Sequence, residues 1–253
     1  MSLSEILLLL AAGCAAGGMN ALAGGGTFFS FPALLASGLP PVTANATNAV
    51  ALWPASLAAA WAARSTLRPL SRYLPALLLA GLAGGLAGGL LLLVGGDEVF
   101  RRLIPWLLLA ATALFAASPW LSGWVARLRQ GSTGDGPRHS PWSLAAHALV
   151  SVYGGYFGAG MGILQLAAFS IEGHAFVRAN ALKNLISAVI YSVATATFVL
   201  AGRVSWAELA VLLAGATAGG YLGGALSKVL PVRLLRALVI LVGTGMTLYY
   251  FWR

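Results

Sequence analysis

Asn180, Lys183, Asn184, Ser187 and Tyr191 recur along RANALKNLISAVIY at spacings i, i+3, i+4, i+7 and i+11. On an α-helix that spacing gathers all of them on one face. Amides, hydroxyls and a single ammonium suit an oxyanion: N–H and O–H groups donate to its oxygens, and lysine adds a point charge. A second cluster, Thr43, Asn45, Thr47, Asn48 and Ser56 in TANATNAVALWPAS, supplies neutral donors. The competing reading is that the amides join helices to one another and Lys183 snorkels to an interface.

Each cluster follows a stretch broken by glycine. Ala23-Gly24-Gly25-Gly26 interrupts the first apolar run, and Gly154-Gly155 with Gly158-Ala159-Gly160-Met161-Gly162 interrupts the second. Freed backbone N–H groups at such breaks, with the helix N-termini that follow, add donors and a favourable dipole for an anion. Close helix contact is the alternative use of the same glycines. Paired interruptions at matching places in two halves favour discontinuous or re-entrant helices, where transport sites are built.

The two halves are one pattern repeated at a constant offset. Gly84, Gly85, Gly88 and Gly89 match Gly219, Gly220, Gly223 and Gly224, a shift of 135 positions (219 − 84). The same shift lays Asn45 on Asn180, Asn48 on Lys183, Arg68 on Arg203 and Thr112 on Thr247. Residues 1–122 read as the first membrane repeat, 123–141 as a polar linker and 142–253 as the second repeat. The series Gly81, Gly85, Gly89, with Gly219 and Gly223, reads as a close-packing face.

These clusters must be carried by a membrane. The 253 residues are 59% hydrophobic and 8% charged, against about 25% charged in ordinary soluble domains. The apolar runs are continuous rather than alternating, which selects helices over a β-barrel. The fold class is therefore an all-α polytopic membrane protein with two homologous, inverted repeats. About eight helical segments are expected, with a broken or re-entrant helix opening each repeat.

The net charge of +9 does not indicate nucleic-acid binding, because the basic residues sit at the ends of apolar segments. If each opening segment re-enters, only Arg101, Arg102, Arg203 and Arg253 fall on one side. The other eleven of the fifteen Lys and Arg residues then share the opposite side. By the positive-inside rule that side is cytoplasmic, the linker lies there, and both termini face outward.

Other chemistry finds little support. Cys14 is the one cysteine, so no internal disulfide or multi-cysteine metal site is expected. The run LLLLAAGC lacks the basic residues that a lipoprotein signal needs ahead of it. Histidines 139, 147 and 174 have no metal-ligand spacing and read as structural or loop residues. Glu172 and Glu208 read as interfacial, with proton coupling an option for Glu172 near the second break. No phosphate-binding loop, HExxH or GxSxG is present, so no catalytic residues, enzyme activity, cofactor or metal are expected. The tryptophans mostly flank segment ends, as an aromatic belt does.

Two stretches carry a family resemblance. AGGGTFFSFPALLASGLPPVTANATNAVALWPASLAA resembles the opening motif of the TauE/SafE family of sulfite and organosulfur-anion exporters. GGYFGAGMGILQLAAF followed by RANALKN resembles its second-half counterpart. The resemblance implies a multi-pass bacterial inner-membrane permease for sulfite, sulfonates, thiosulfate or related anions. It implies contacts at Gly24, Gly25, Gly26, Asn45, Thr47 and Asn48, and at Gly158, Gly160, Gly162, Asn180, Lys183 and Asn184. GAGMG in place of a clean glycine triplet, and Asn at position 48, leave the particular anion open. Expected partners are a small anion, the lipid bilayer and, as one assembly option, a second copy in a homodimer; nucleic acid is not expected. An anion channel and a non-transporting scaffold or assembly protein are the alternative functions.

Overall fold

Long apolar runs with no soluble partner can satisfy their backbone only as helices, and helices account for nearly all the structure. The computed structural model describes residues 1–22, 25–71, 73–130, 140–226 and 232–252. Among these, the first half contains α1 (Leu3–Leu22), α2 (Thr27–Ala36), α3 (Pro41–Ala62), the short α4 (Arg64–Leu67) with a 3-10 turn (Arg68–Leu70), and α5 (Leu74–Gln130). The second half contains α6 (Pro141–Tyr156), α7 (Met161–Ile171), α8 (Phe176–Leu200), α9 (Trp206–Leu226) and α10 (Val232–Trp252). No strand occurs among the described residues.

Among the described residues, three stretches are long and apolar enough to cross a membrane: Leu3–Asn20, Leu74–Trp120 and Phe176–Leu200. The 47 residues of Leu74–Trp120 would extend about 70 Å as one helix, over twice the bilayer core. Gly96 breaks α5 with φ 67° and ψ −174°, dividing it into two membrane-length arms. The second arm continues to Gln130, into the stretch 123–141 read as a polar linker; residues 131–139, including His139, lie outside the described residues. By contrast α2 has 10 residues and α7 has 11, about 15 Å each, half of the crossing distance.

Hydrogen bonds fix the two ends of the bundle. The Val42 N–H donates to Asp97 at 2.8 Å and the Ser205 N–H to Thr47 Oγ1 at 3.0 Å. The start of α3, the bend of α5 and the turn after α8 therefore share one end. At the other end Tyr73 and Ser143 both donate to Glu172, joining the starts of α5 and α6 to the turn after α7. Helices α3 and α8 consequently run antiparallel through the centre, where Trp53 Nε1 donates to Ser192 Oγ at 2.8 Å.

Small residues set the helix spacing. A Cβ at Gly88 would lie 2.1 Å from the Val152 carbonyl oxygen on α6, and one at Gly219 would lie 1.9 Å from that of Cys14 on α1. So α1 packs on α9 and α6 on the first arm of α5, with backbones in contact. The Gly81, Gly85 and Gly89 series meets Val189, Ile190 and Thr197 of α8 at 3.2–3.5 Å. In the first half the tightest contact therefore lies one residue off the expected series, whereas Gly219 in the second half belongs to it. Trp61, Trp106, Trp120, Trp142, Trp206 and Trp252 are all exposed at the periphery, as belt residues are.

Candidate functional site

Both chain breaks owe their shape to glycine. Gly25 has φ 90°, Gly158 φ 80° and Gly160 φ 77°, left-handed conformations that cost a side-chain-bearing residue about 1–2 kcal/mol. Gly26 starts α2 and accepts little else: a Cβ there would meet the Ala16 carbonyl oxygen at 2.6 Å. Its N–H donates to Asn20 Oδ1 at 3.0 Å. Gly160 caps the start of α7. Gly24 lies outside the described residues.

The fold brings the two breaks together. The Tyr191 hydroxyl on α8 faces Thr27 at the start of α2. It also stands 3.1 Å from where a Cβ on Gly158 would be. The second arm of α5 abuts both breaks, with Phe115 against Gly25 and Ala111 against Gly160. Phe31 and Phe157 meet edge to face with centroids 5.4 Å apart, closing the contact with apolar bulk. Two half-length helices thus begin in the interior, each with a positive dipole end, and the first-turn N–H groups of Phe28, Phe29, Met161 and Ile163 donate to the carbonyls of the glycines just before them.

Lys183 lies seven residues into α8 (183 − 176), about 10 Å along the helix axis. Its Cδ approaches the Cβ position of Gly162 at 3.5 Å, so its stem crosses the first turn of α7. It is half-buried, and no ion pair forms with it among the described residues. Asn180 and Asn184 flank it, half-buried, with no side-chain hydrogen bond among the described residues. Ser187, on the same face, donates to Gln165 Oε1 at 2.9 Å. Ser30 and Asn48 occupy the equivalent places in the first half, and Ser30 Oγ lies 2.5 Å from Asn48 Oδ1. Position 48 is therefore an amide tied to α2, where position 183 is an ammonium beside α7.

The remaining candidates are buried ties. Asn45 Nδ2 donates to the Tyr156 carbonyl at 2.9 Å, at the edge of the second break. Thr47 is committed to Ser205 at the far end of α8, away from both breaks. The Asn45 Oδ1, Thr112 Oγ1 and Thr195 Oγ1 atoms are buried with no hydrogen-bond partner among the described residues. Buried polar atoms normally have partners, and these three sit on the helices that enclose the breaks.

Sequence reading left a second polar cluster undivined. Glu172, 9% exposed at its side chain, faces His147 Nε2 at 2.7 Å and His174 Nε2 at 3.8 Å, and accepts from Tyr73 and Ser143. His147 stacks on Phe169 with centroids 4.3 Å apart. Burial pushes the Glu172 carboxyl up, but donors from His147, Ser143 and Tyr73 outweigh it and hold the group below its ordinary value. Burial and the adjacent carboxylate push the Tyr73 phenol up. Histidines that look scattered in sequence converge here because α7 turns back toward its starting end.

Known proteins agree with this architecture in length and kind. A family model described as sulfite exporter TauE/SafE matches residues 9–250. A probable membrane transporter protein of Haemophilus influenzae is 27% identical over 243 residues, covering 96% of this chain and 92% of its own. The probable membrane transporter protein YfcA of Escherichia coli K12 is 28% identical over 234 residues, covering 92% and 84%. A probable membrane transporter protein from Sinorhizobium, ORF9, is 25% identical over 250 residues, covering 96% and 91%. No solved structure matches the chain. With its sequence matched almost end to end, this all-helical chain belongs to the TauE/SafE sulfite exporter family of membrane transporters.

Proposed function

We propose that the protein is a secondary transporter that moves sulfite or a related small sulfur oxyanion across the bacterial inner membrane. The observation that carries this reading is the convergence of two glycine breaks on Tyr191, with the Lys183 stem laid over the first turn of α7. Helix N-termini and glycine backbone N–H groups bind oxyanions, and an ammonium at depth is costly without a counter-charge. Gly25, Gly26, Gly158, Gly160 and Gly162 shape the site. Lys183 supplies the charge, Asn180 and Asn184 complete the donor set, and Asn45 and Asn48 hold the facing helix. Thr47 acts as a buried fastening to the turn after α8.

Alternating access follows from inverted repeats. Adding 135 to α1, α2 and α3 gives 138–157, 162–171 and 176–197, which fall on α6, α7 and α8. The antiparallel course of α3 and α8 supports inversion of one half relative to the other. Rocking of the halves about the breaks then exposes the anion to each side in turn.

A ligand that binds the folded state raises its apparent stability by mass action. Purified protein challenged with sulfite, thiosulfate, sulfoacetate, taurine and sulfate is expected to show a selective rise in unfolding temperature with at least one sulfur oxyanion. A flat response across the panel would count against an anion site.

A further inference from the structure

Glu172 is a buried acid that the anion site does not use. It caps the C-terminal end of α7, whose other end begins at Gly160 beside the anion site. The groups facing its carboxylate come from every neighbouring element. Tyr73 precedes α5, Ser143 and His147 belong to α6, and His174 follows on its own turn. Among the described residues no other carboxylate contacts a histidine.

This arrangement has no room for a further proton. Tyr73 and Ser143 donate to Glu172, with His147 Nε2 2.7 Å from its Oε1, and a protonated carboxyl keeps less acceptor capacity for these donors. Placing the proton on His147 fares no better. Its Nδ1 is buried with no hydrogen-bond partner among the described residues, so imidazolium would bury an unsatisfied N–H. Either way, proton binding selects a different arrangement, in which the end of α7 is released from α5 and α6.

We propose that the Glu172–His147 pair is a proton-binding site that couples anion transport to the proton gradient by releasing the C-terminal end of α7. The step is a simple protonation: the carboxylate becomes a carboxylic acid, or the imidazole an imidazolium, and no other bond changes. The proposal rests on the transport reading above. Tyr73 and Ser143 donate to Glu172 as they would to a carboxylate, so acidification favours release and raising the pH favours docking.

The test uses full-length protein in liposomes and labelled sulfite, with flux into protein-free liposomes subtracted. The quantity read is the ratio of sulfite flux with a proton gradient to flux without one. The wild type is expected to give a ratio of several-fold, and Glu172→Gln and His147→Gln are expected to bring it to unity. Tyr73→Phe removes one donor to the carboxylate and should shift the pH profile of the ratio to higher pH. A wild-type ratio of unity with sulfite flux present, a Glu172→Gln ratio equal to wild type, or an unmoved Tyr73→Phe profile overturns the proposal. If Glu172→Gln does not fold, His147→Gln and Tyr73→Phe decide.

If the wild type carries no sulfite at all, the transport reading fails. Hydrogen exchange of residues 161–171 then judges the proton site alone. Opening, corrected for intrinsic exchange chemistry, should increase as the pH is lowered in wild type and not in His147→Gln. A pH response that is absent, or equal in both, overturns it.

Discussion

Gly158 illustrates how single residues hold this site. It combines a φ of 80° with a neighbouring phenol: a Cβ would lie 3.1 Å from the Tyr191 hydroxyl and 3.2 Å from the Gly154 carbonyl oxygen. Gly158→Ala is expected to destabilise by about 1–2 kcal/mol from backbone strain alone, and to impair sulfite transport by moving Tyr191. Thermal unfolding and flux measured on one preparation would check both; unchanged values for both would remove Gly158 from the site. Residue types at this scale were readable, but their commitments were not. Asn45, Thr47 and Asn48 look alike in TANATNAVAL, yet only the fold sends Thr47 to Ser205 and Asn48 to Ser30. The Glu172 cluster was illegible for a related reason. Its members lie at 73, 143, 147, 172 and 174, and no local spacing marks contacts made between three separate parts of the chain.

At the scale of helices, packing is set by backbone proximity rather than by side-chain size. Gly88 places the first arm of α5 where a Cβ would overlap the Val152 carbonyl oxygen at 2.1 Å and the Tyr156 nitrogen at 2.7 Å. Neither backbone atom can move aside cheaply. Gly88→Ala should therefore cost about 1–3 kcal/mol as overpacking. Gly245 on α10 is the contrast, with nothing within 4 Å of the Cβ position. Gly245→Ala should be neutral or gain up to about 1 kcal/mol from helix propensity. Comparing the two unfolding temperatures against wild type tests the assignment, and equal effects would contradict it. The half-length of α2 and α7 was legible, because Gly25 and Gly158–Gly162 interrupt apolar runs that would otherwise cross. The choice between Gly84/Gly88 and Gly81/Gly85/Gly89 as the tighter face was not, since both series recur every fourth residue and only the partner helix distinguishes them.

For the whole molecule, the duplicated pattern and the basic-residue bias predict an orientation. Ser2 precedes α1 and Ser140 precedes α6, so inverted halves put these positions on opposite faces of the membrane. In a Cys14→Ser background, Ser2→Cys should react with a membrane-impermeant maleimide in intact cells. Ser140→Cys should react only after permeabilisation. Labelling of both from the same side would contradict the inverted arrangement. The offset of 135 made the repeat visible because glycine and asparagine stand out against leucine and alanine. Direction could not be read from the offset, because a repeat copied in parallel has the same residue order; the antiparallel course of α3 and α8 supports the inverted reading.

The whole account depends on an ammonium serving as counter-charge for an oxyanion at the meeting of two broken helices. The direct test is saturable counterflow of labelled sulfite in proteoliposomes containing wild type or Lys183→Ala, at symmetric pH. The account predicts saturable exchange in wild type and an apparent affinity at least about tenfold weaker in Lys183→Ala, equivalent to about 1.4 kcal/mol. Identical saturation curves for the two proteins would contradict it.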